Sequence, residues 1–196
     1  MNEIKLIAIG SSTGGTEALA KILPHLRPPL PPIVIVQHIP AGFSKLFADR
    51  MNNESQLTVK EGEHGEFIKP NWVYIAPGGL HMDLRRMGEN LQINCFMAPP
   101  VHSCRPAVDI LFNSVARLVG SAALGVILTG IGHDGTDGLL AMKKRGSPTL
   151  GQDEATSVVY GMPKSAFDAG AVDTQIALPS MALAITSLVH KRNGHL

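Results

Sequence analysis

Ser12, His38 and Asp134 are residue types that together activate a hydroxyl for attack on an acyl carbon, and each follows a short apolar run. A serine hydroxyl is a weak nucleophile at neutral pH, so a base must take its proton during attack. Histidine titrates in the range that suits this task. An aspartate fixes the useful tautomer and stabilises the imidazolium that forms. On the usual template Nε2 of the imidazole faces the serine and Nδ1 faces the aspartate. Gly10-Ser11-Ser12-Thr13-Gly14 matches the G-x-S-x-G elbow, which lifts a serine above a strand-to-helix turn. Gly14 and Gly15 would let backbone N–H groups approach an oxyanion at the positive end of the following helix.

The same residues carry other readings, which spacing alone leaves open. Gly10 to Thr16 resembles a phosphate-cradling loop, but Glu17 stands where that motif wants a lysine before Ser/Thr. Gly130-Ile131-Gly132-His133-Asp134-Gly135 fits G-x-G-x-x-G, yet it lies late in the chain and only Asp153 could supply the later acid. Ser11 or Thr13 can cap a helix, His38 can be satisfied by backbone at a strand end, and Asp134 competes with Asp137, the better candidate, to cap the helix that follows. The order Ser, His, Asp also departs from the Ser, Asp/Glu, His order of α/β-hydrolases. His38, His81, His102 and His133 show no His-x-x-x-His pair and there is no Cys-x-x-Cys; they read as scattered surface histidines, and no metal is expected. Cys104 reads as an incidental thiol with no base beside it.

The elements that must position these groups follow from periodicity. Ile4 to Ile9, Ile33 to Val36 and Ala123 to Leu128 are apolar on both faces, as parallel strands buried on both sides are. Leu57 to Lys60, Trp72 to Ile75 and Pro148 to Leu150 are further strands, with Ala171-Val172 as a last one. Helical spacing follows Thr16, Gly42, Pro106, Leu139, Gly161 and Pro179. Leu80 to Arg86 and Asn90 to Phe96 alternate apolar and polar residues about Met87-Gly88-Glu89, a hairpin exposed on one face. The expectation is a doubly wound α/β fold with a mostly parallel sheet and an inserted antiparallel hairpin at about residues 80–96. The site then lies beyond the carboxyl ends of the strands.

Composition narrows the setting. The chain has 196 residues, 44% of them hydrophobic, so one domain spanning 1–196 is expected. A net charge of +1 without a basic block argues against nucleic acid. Two cysteines suit a reduced, cytoplasmic setting, and no apolar run is long enough for membrane insertion.

In order along the chain, several stretches resemble the catalytic domain of the bacterial chemotaxis protein-glutamate methylesterase family. They are Ile7 to Leu19, Gln37-His38-Ile39-Pro40 with Gly42-Phe43, and Tyr74 to Gly78 with His81-Met82. Arg105-Pro106 with Val108-Asp109, Gly125 to Gly130 with Asp134-Gly135, and Gln152 to Ser157 with Gly161-Met162-Pro163 complete the set. The resemblance implies Ser12 as nucleophile, His38 as base and Asp134 as its orienting acid, with Thr13 supporting the imidazole and the N–H of Ile131 donating to an oxyanion. It implies hydrolysis of γ-glutamyl methyl esters on cytoplasmic helices of membrane chemoreceptors, release of methanol, glutamine deamidation in many members, and no cofactor. Ser11 stands where the family often has alanine. Relatives usually carry an N-terminal receiver domain over the site. The chain begins at the catalytic domain, so an excised fragment or a freestanding enzyme regulated in trans is expected. A non-catalytic receptor-binding module is the alternative of a different class.

Overall fold

Every residue of β1 (Leu6–Ser11), β2 (Ile33–Gln37), β7 (Ala123–Ile127) and β8 (Thr149–Gln152) is buried, as strands covered on both faces must be. These labels refer to a computed structural model that describes residues 2–194. The remaining strands are β3 (Thr58–Glu61), β4 (Trp72–Ile75), β5 (His81–Met87), β6 (Asn90–Phe96) and β9 (Thr174–Ile176). The helices are α1 (Gly15–Ile22), α2 (Phe43–Glu54), α3 (Val108–Leu118), α4 (Thr136–Lys144), α5 (Met162–Asp168) and α6 (Leu178–Asn193). Seven strands pair in parallel in the order β3-β4-β2-β1-β7-β8-β9, and β5 and β6 form a separate antiparallel ribbon.

β1 lies between β2 and β7, so the chain leaves it to one side first and returns to its other side later. That reversal is the topological switch point, where such sheets leave a crevice at the strand ends. Two apolar layers flank the sheet. One joins Leu19, Ile22, Phe47, Met51, Met181 and Ile185 from α1, α2 and α6. The other joins Phe112, Val115, Leu139, Met142 and Met162 from α3, α4 and α5 to Met82, Leu84 and Ile93 of the ribbon. The ribbon therefore acts as a second covering layer beside α3, and Ser114 Oγ of that helix accepts the N–H of Leu84.

The expected doubly wound fold and hairpin are present, and the main sheet is parallel throughout. Ala171-Val172 is not a strand. Both residues are buried in the α3–α5 layer, and Ala171 N–H bonds back to Ala166 O at the exit of α5. The polar Thr174–Ile176 segment makes the edge pairing with β8 instead, because an edge strand beside solvent needs no apolar run. Among the described residues, no helix is long and apolar enough to cross a membrane.

The turn after β1 depends on Gly14, whose φ of 78° starts α1 from the left-handed region. A Cβ there would also stand 2.6 Å from Cβ of Val158. Gly14→Ala is expected to destabilise the fold by about 1–3 kcal/mol, read as a lowered urea midpoint with an unchanged slope.

Candidate active site

Ser12, His38 and Asp134 follow β1, β2 and β7, three neighbouring strands, so all three leave the same edge of the sheet. His38 and Asp134 meet there directly: Nε2 lies 2.7 Å from Asp134 Oδ2, with the side chains 13% and 2% exposed. Asp134 does not cap α4, which starts at Gly135 without a side-chain cap, and Asp137 does not cap it either. Its carboxylate is turned toward α3. Oδ2 also accepts the N–H of Val108 at 2.7 Å, and Oδ1 accepts that of Asp109 at 2.9 Å. Two N–H groups left free by the first turn of α3 are thus satisfied by a residue from another part of the chain.

This environment sets the charge of the group. Burial pushes the Asp134 carboxyl upward. The His38 hydrogen bond, the N–H groups of Asp109 and Val108 and the charge of His38 outweigh it, and the group sits below the ordinary carboxylate range. An ionised Asp134 can only accept, so Nε2 of His38 donates to it, and in the neutral ring the lone pair then falls on Nδ1. The ring is therefore the reverse of the usual template: Nε2 faces the aspartate and Nδ1 is the nitrogen left for a proton.

Asp109 mirrors Asp134. Its Oδ1 accepts the N–H of Gly138 in the first turn of α4 at 2.7 Å, and its Oδ2 lies 2.8 Å from His102 Nε2. Burial holds its carboxyl above the usual value, and the nearby charge of Asp134 adds to this against the opposing bonds from Gly138 and His102. Each aspartate thus caps a helix it does not itself begin, and the two starts of α3 and α4 are tied beside His38.

The two serines differ sharply. Ser11 is fully buried and its Oγ donates to Gln37 Oε1 at 2.5 Å. Ser12 is half-buried, and its Oγ forms no hydrogen bond with a described residue. Gln37 completes the arrangement through Nε2, which donates to the carbonyls of Ser12 at 2.9 Å and His38 at 3.0 Å. It therefore spaces the two strand ends that carry the candidate nucleophile and base. From the other side, Thr129 Oγ1 donates to Thr13 O, and Ser12 N–H donates to Thr129 O. Gly130 must lack a side chain, since its Cβ would stand 2.7 Å from Ser12 Cβ.

Thr13 does not support the imidazole through its side chain, which is exposed and hydrogen-bonded to no described residue. The N–H groups of Thr13, next in the chain to Ser12, and of the exposed Ile131, next in the chain to Gly130, donate to no described residue. The place expected for Thr13 beside the ring is taken by Cys104, whose Sγ lies 3.5 Å from His38 Nδ1. Burial pushes this thiol up, and the charge of Asp134 adds to the effect. The histidines are not scattered either. The rings of His102 and His133 stack edge-on at 4.4 Å beside Asp109. His81 is buried, with Nε2 on Pro99 O and Nδ1 on Ala107 N–H. Two sets, His38 with Cys104 and Asp134 and His102 with Asp109 and Asp134, bring possible metal-ligand atoms within 4.8 Å of one another. Cys104, expected from the sequence to be an incidental thiol with no base beside it, instead faces His38. Gln37 was the residue that sequence reasoning passed over, and a glutamine ending an apolar strand was the only available signal for it.

A parallel sheet with this switch point, with Ser12 following β1 and a histidine paired to a buried carboxylate following β2, defines a doubly wound α/β domain whose candidate site lies at the strand ends. The profile of the CheB methylesterase family matches residues 7–185, and the chain belongs to that family. It is 51% identical over 178 residues to the protein-glutamate methylesterase/protein-glutamine glutaminase of Paraburkholderia xenovorans, covering 91% of this chain and 49% of that protein. It is 48% identical over 188 residues to the protein of the same name from Syntrophotalea carbinolica, covering 96% and 53%. The chain spans about half the length of these relatives. The crystal structure of the Thermotoga maritima CheB methylesterase catalytic domain superposes with a TM-score of 0.93 at 40% identity, over 95% of this chain and all of that one.

Asp134→Asn replaces an acceptor by an amide whose NH2 confronts a donor, and is expected to cost about 2–4 kcal/mol. The folded carboxyl is depressed, so its stabilisation is complete above the ordinary carboxylate range and is lost as pH falls through the depressed value. Urea unfolding of the two proteins should differ by a constant amount near neutrality, with the gap closing below about pH 4.

Proposed function

We propose that this chain is a serine hydrolase that removes methyl esters from glutamate side chains of bacterial chemoreceptors and releases methanol. The observation that carries the reading is the unengaged Ser12 hydroxyl just after β1, the strand paired with the β2 that leads into His38 and its partner Asp134. The names of the relatives supply the substrate class. Ser12 Oγ attacks the ester carbon as His38 Nδ1 takes its proton, and Asp134 holds the Nε2–H and stabilises the imidazolium. The oxyanion is met by the N–H groups of Thr13 and Ile131, which donate to no described residue. Thr13 thus supports the reaction through its backbone. His38 returns the proton to the departing methanol. Water, activated by the same Nδ1, then hydrolyses the glutamyl ester on Ser12.

A glutamine side chain in the same position would release ammonia by the same steps, which accounts for the paired glutaminase name of the relatives. Nothing in this sequence of steps requires a cofactor or metal. The substrate would be the cytoplasmic helices of a membrane chemoreceptor, met in the cytoplasm. Control would come from a receiver domain or another regulator acting on the strand-end face. The catalytic unit is the single domain 1–196.

Release of labelled methanol from methylated receptor membranes tests this. Ser12→Ala is expected to lower the rate by about a millionfold and Asp134→Asn by about 10⁴. Ser11→Ala should retain activity and lose stability instead, because its hydroxyl serves Gln37. Full activity in Ser12→Ala, or its abolition in Ser11→Ala with the fold intact, would refute the assignment.

A further inference from the structure

We propose that His38 Nδ1 and Cys104 Sγ form a binding site for a thiophilic divalent cation, Zn2+ being the best fit, and that occupancy switches the enzyme off. The two atoms lie 3.5 Å apart. Zinc bonds sulfur at about 2.3 Å and imidazole nitrogen at about 2.0 Å, and a tetrahedral angle between them spans about 3.5 Å. The pair is therefore already at the separation that a tetrahedral zinc ion would bridge.

The surroundings match what a zinc-ligating histidine needs. Its second nitrogen usually donates to a carboxylate that fixes the tautomer and the ring. Here Nε2 donates to Asp134, which is itself held by the N–H groups of Val108 and Asp109. Asp134 is thereby committed as an outer partner, although its carboxylate lies within the same group of possible ligands. Cys104 is also held in place. It closes a tight turn with Val101 through two backbone hydrogen bonds, Val101 N–H to Cys104 O and Cys104 N–H to Val101 O. The turn is tied to the body of the protein by His102 on Asp109 and by the buried His81, which bonds Pro99 and Ala107 on either side. Cys104 Sγ also lies 3.3 Å from the carbonyl of His102, an alternative acceptor for its proton. The other cysteine, Cys95, faces Gly62 O in the ribbon and has no part in the site.

On binding, the Cys104 thiol gives its proton to solvent and the thiolate and the Nδ1 lone pair each form one bond to the ion. The remaining positions are left to water. Metal binding rests on this geometry alone. The inhibition rests on the reading of His38 as the base, because the lone pair that would take the Ser12 proton is then occupied.

Co2+ serves as a spectroscopic probe, since a cobalt–thiolate bond gives a charge-transfer absorption that imidazole or carboxylate ligation does not. Titration of the reduced wild-type chain with Co2+ should raise that absorption to a limit at one equivalent, and Zn2+ should abolish it by displacement. Cys95→Ser should behave as wild type. Cys104→Ser should lose the absorption, and both Cys104→Ser and His38→Gln should weaken Zn2+ binding at least about tenfold by competition. Absorption that persists in Cys104→Ser, or wild-type binding no tighter than that of Cys104→Ser, overturns the site. In the methanol-release assay, buffered Zn2+ should inhibit the wild type and spare Cys104→Ser, while Mg2+ should inhibit neither. Zinc binding through Cys104 without inhibition would leave the metal site standing and count against His38 Nδ1 as the base.

Discussion

The carboxylate of Asp134 is the constraint on which the strand-end face depends. It is nearly inaccessible to solvent, and such a charge persists only where donors surround it. Its three donors come from two places: the His38 ring after β2, and the N–H groups of Val108 and Asp109 at the start of α3. Satisfying one buried charge therefore fixes a helix, a strand end and the tautomer of the candidate base together. The opposite half of the exchange, Asp109 on Gly138, ties α4 to α3 by the same device. Both aspartates spend their charge against helix N-termini, where a negative group is favoured.

Gln37 performs the corresponding task for the backbone. Its amide spans from Ser11 Oγ to the carbonyls of Ser12 and His38, so the separation of two adjacent strand ends is set by one rigid side chain. Ser11 gives up any nucleophilic role in the process. The hydroxyl next to it is left free because nothing in the fold needs it. A hydroxyl that the structure does not use, at a strand end whose neighbours are held by hydrogen bonds, meets one condition for preorganised chemistry.

The strand ends were legible in the sequence because β1, β2 and β7 are apolar runs stopped by polar residues, and the ribbon was legible from its alternation about Met87-Gly88-Glu89. The last strand was not. Ala171-Val172 has the apolar character of a strand but packs into a helical layer, while the true edge, Thr174–Ile176, has no distinctive pattern. Asp134 read as a competitor for the cap of its own helix, since capping of a distant helix has no local signature. Cys104 lay 66 residues from the histidine it faces, and only the turn pinned by His81 and His102 brings them together. The orientation of the His38 ring was equally out of reach, because it follows from which side Asp134 approaches.

The central claim is that Ser12 is the nucleophile and that His38 activates it. Reaction of the chain with a fluorophosphonate ester, followed by peptide fragmentation in a mass spectrometer, reads this directly. One phosphonyl group is expected on Ser12, with labelling lost in His38→Ala. A group found on Ser11 or Cys104, or labelling of Ser12 that is indifferent to loss of His38, would contradict it.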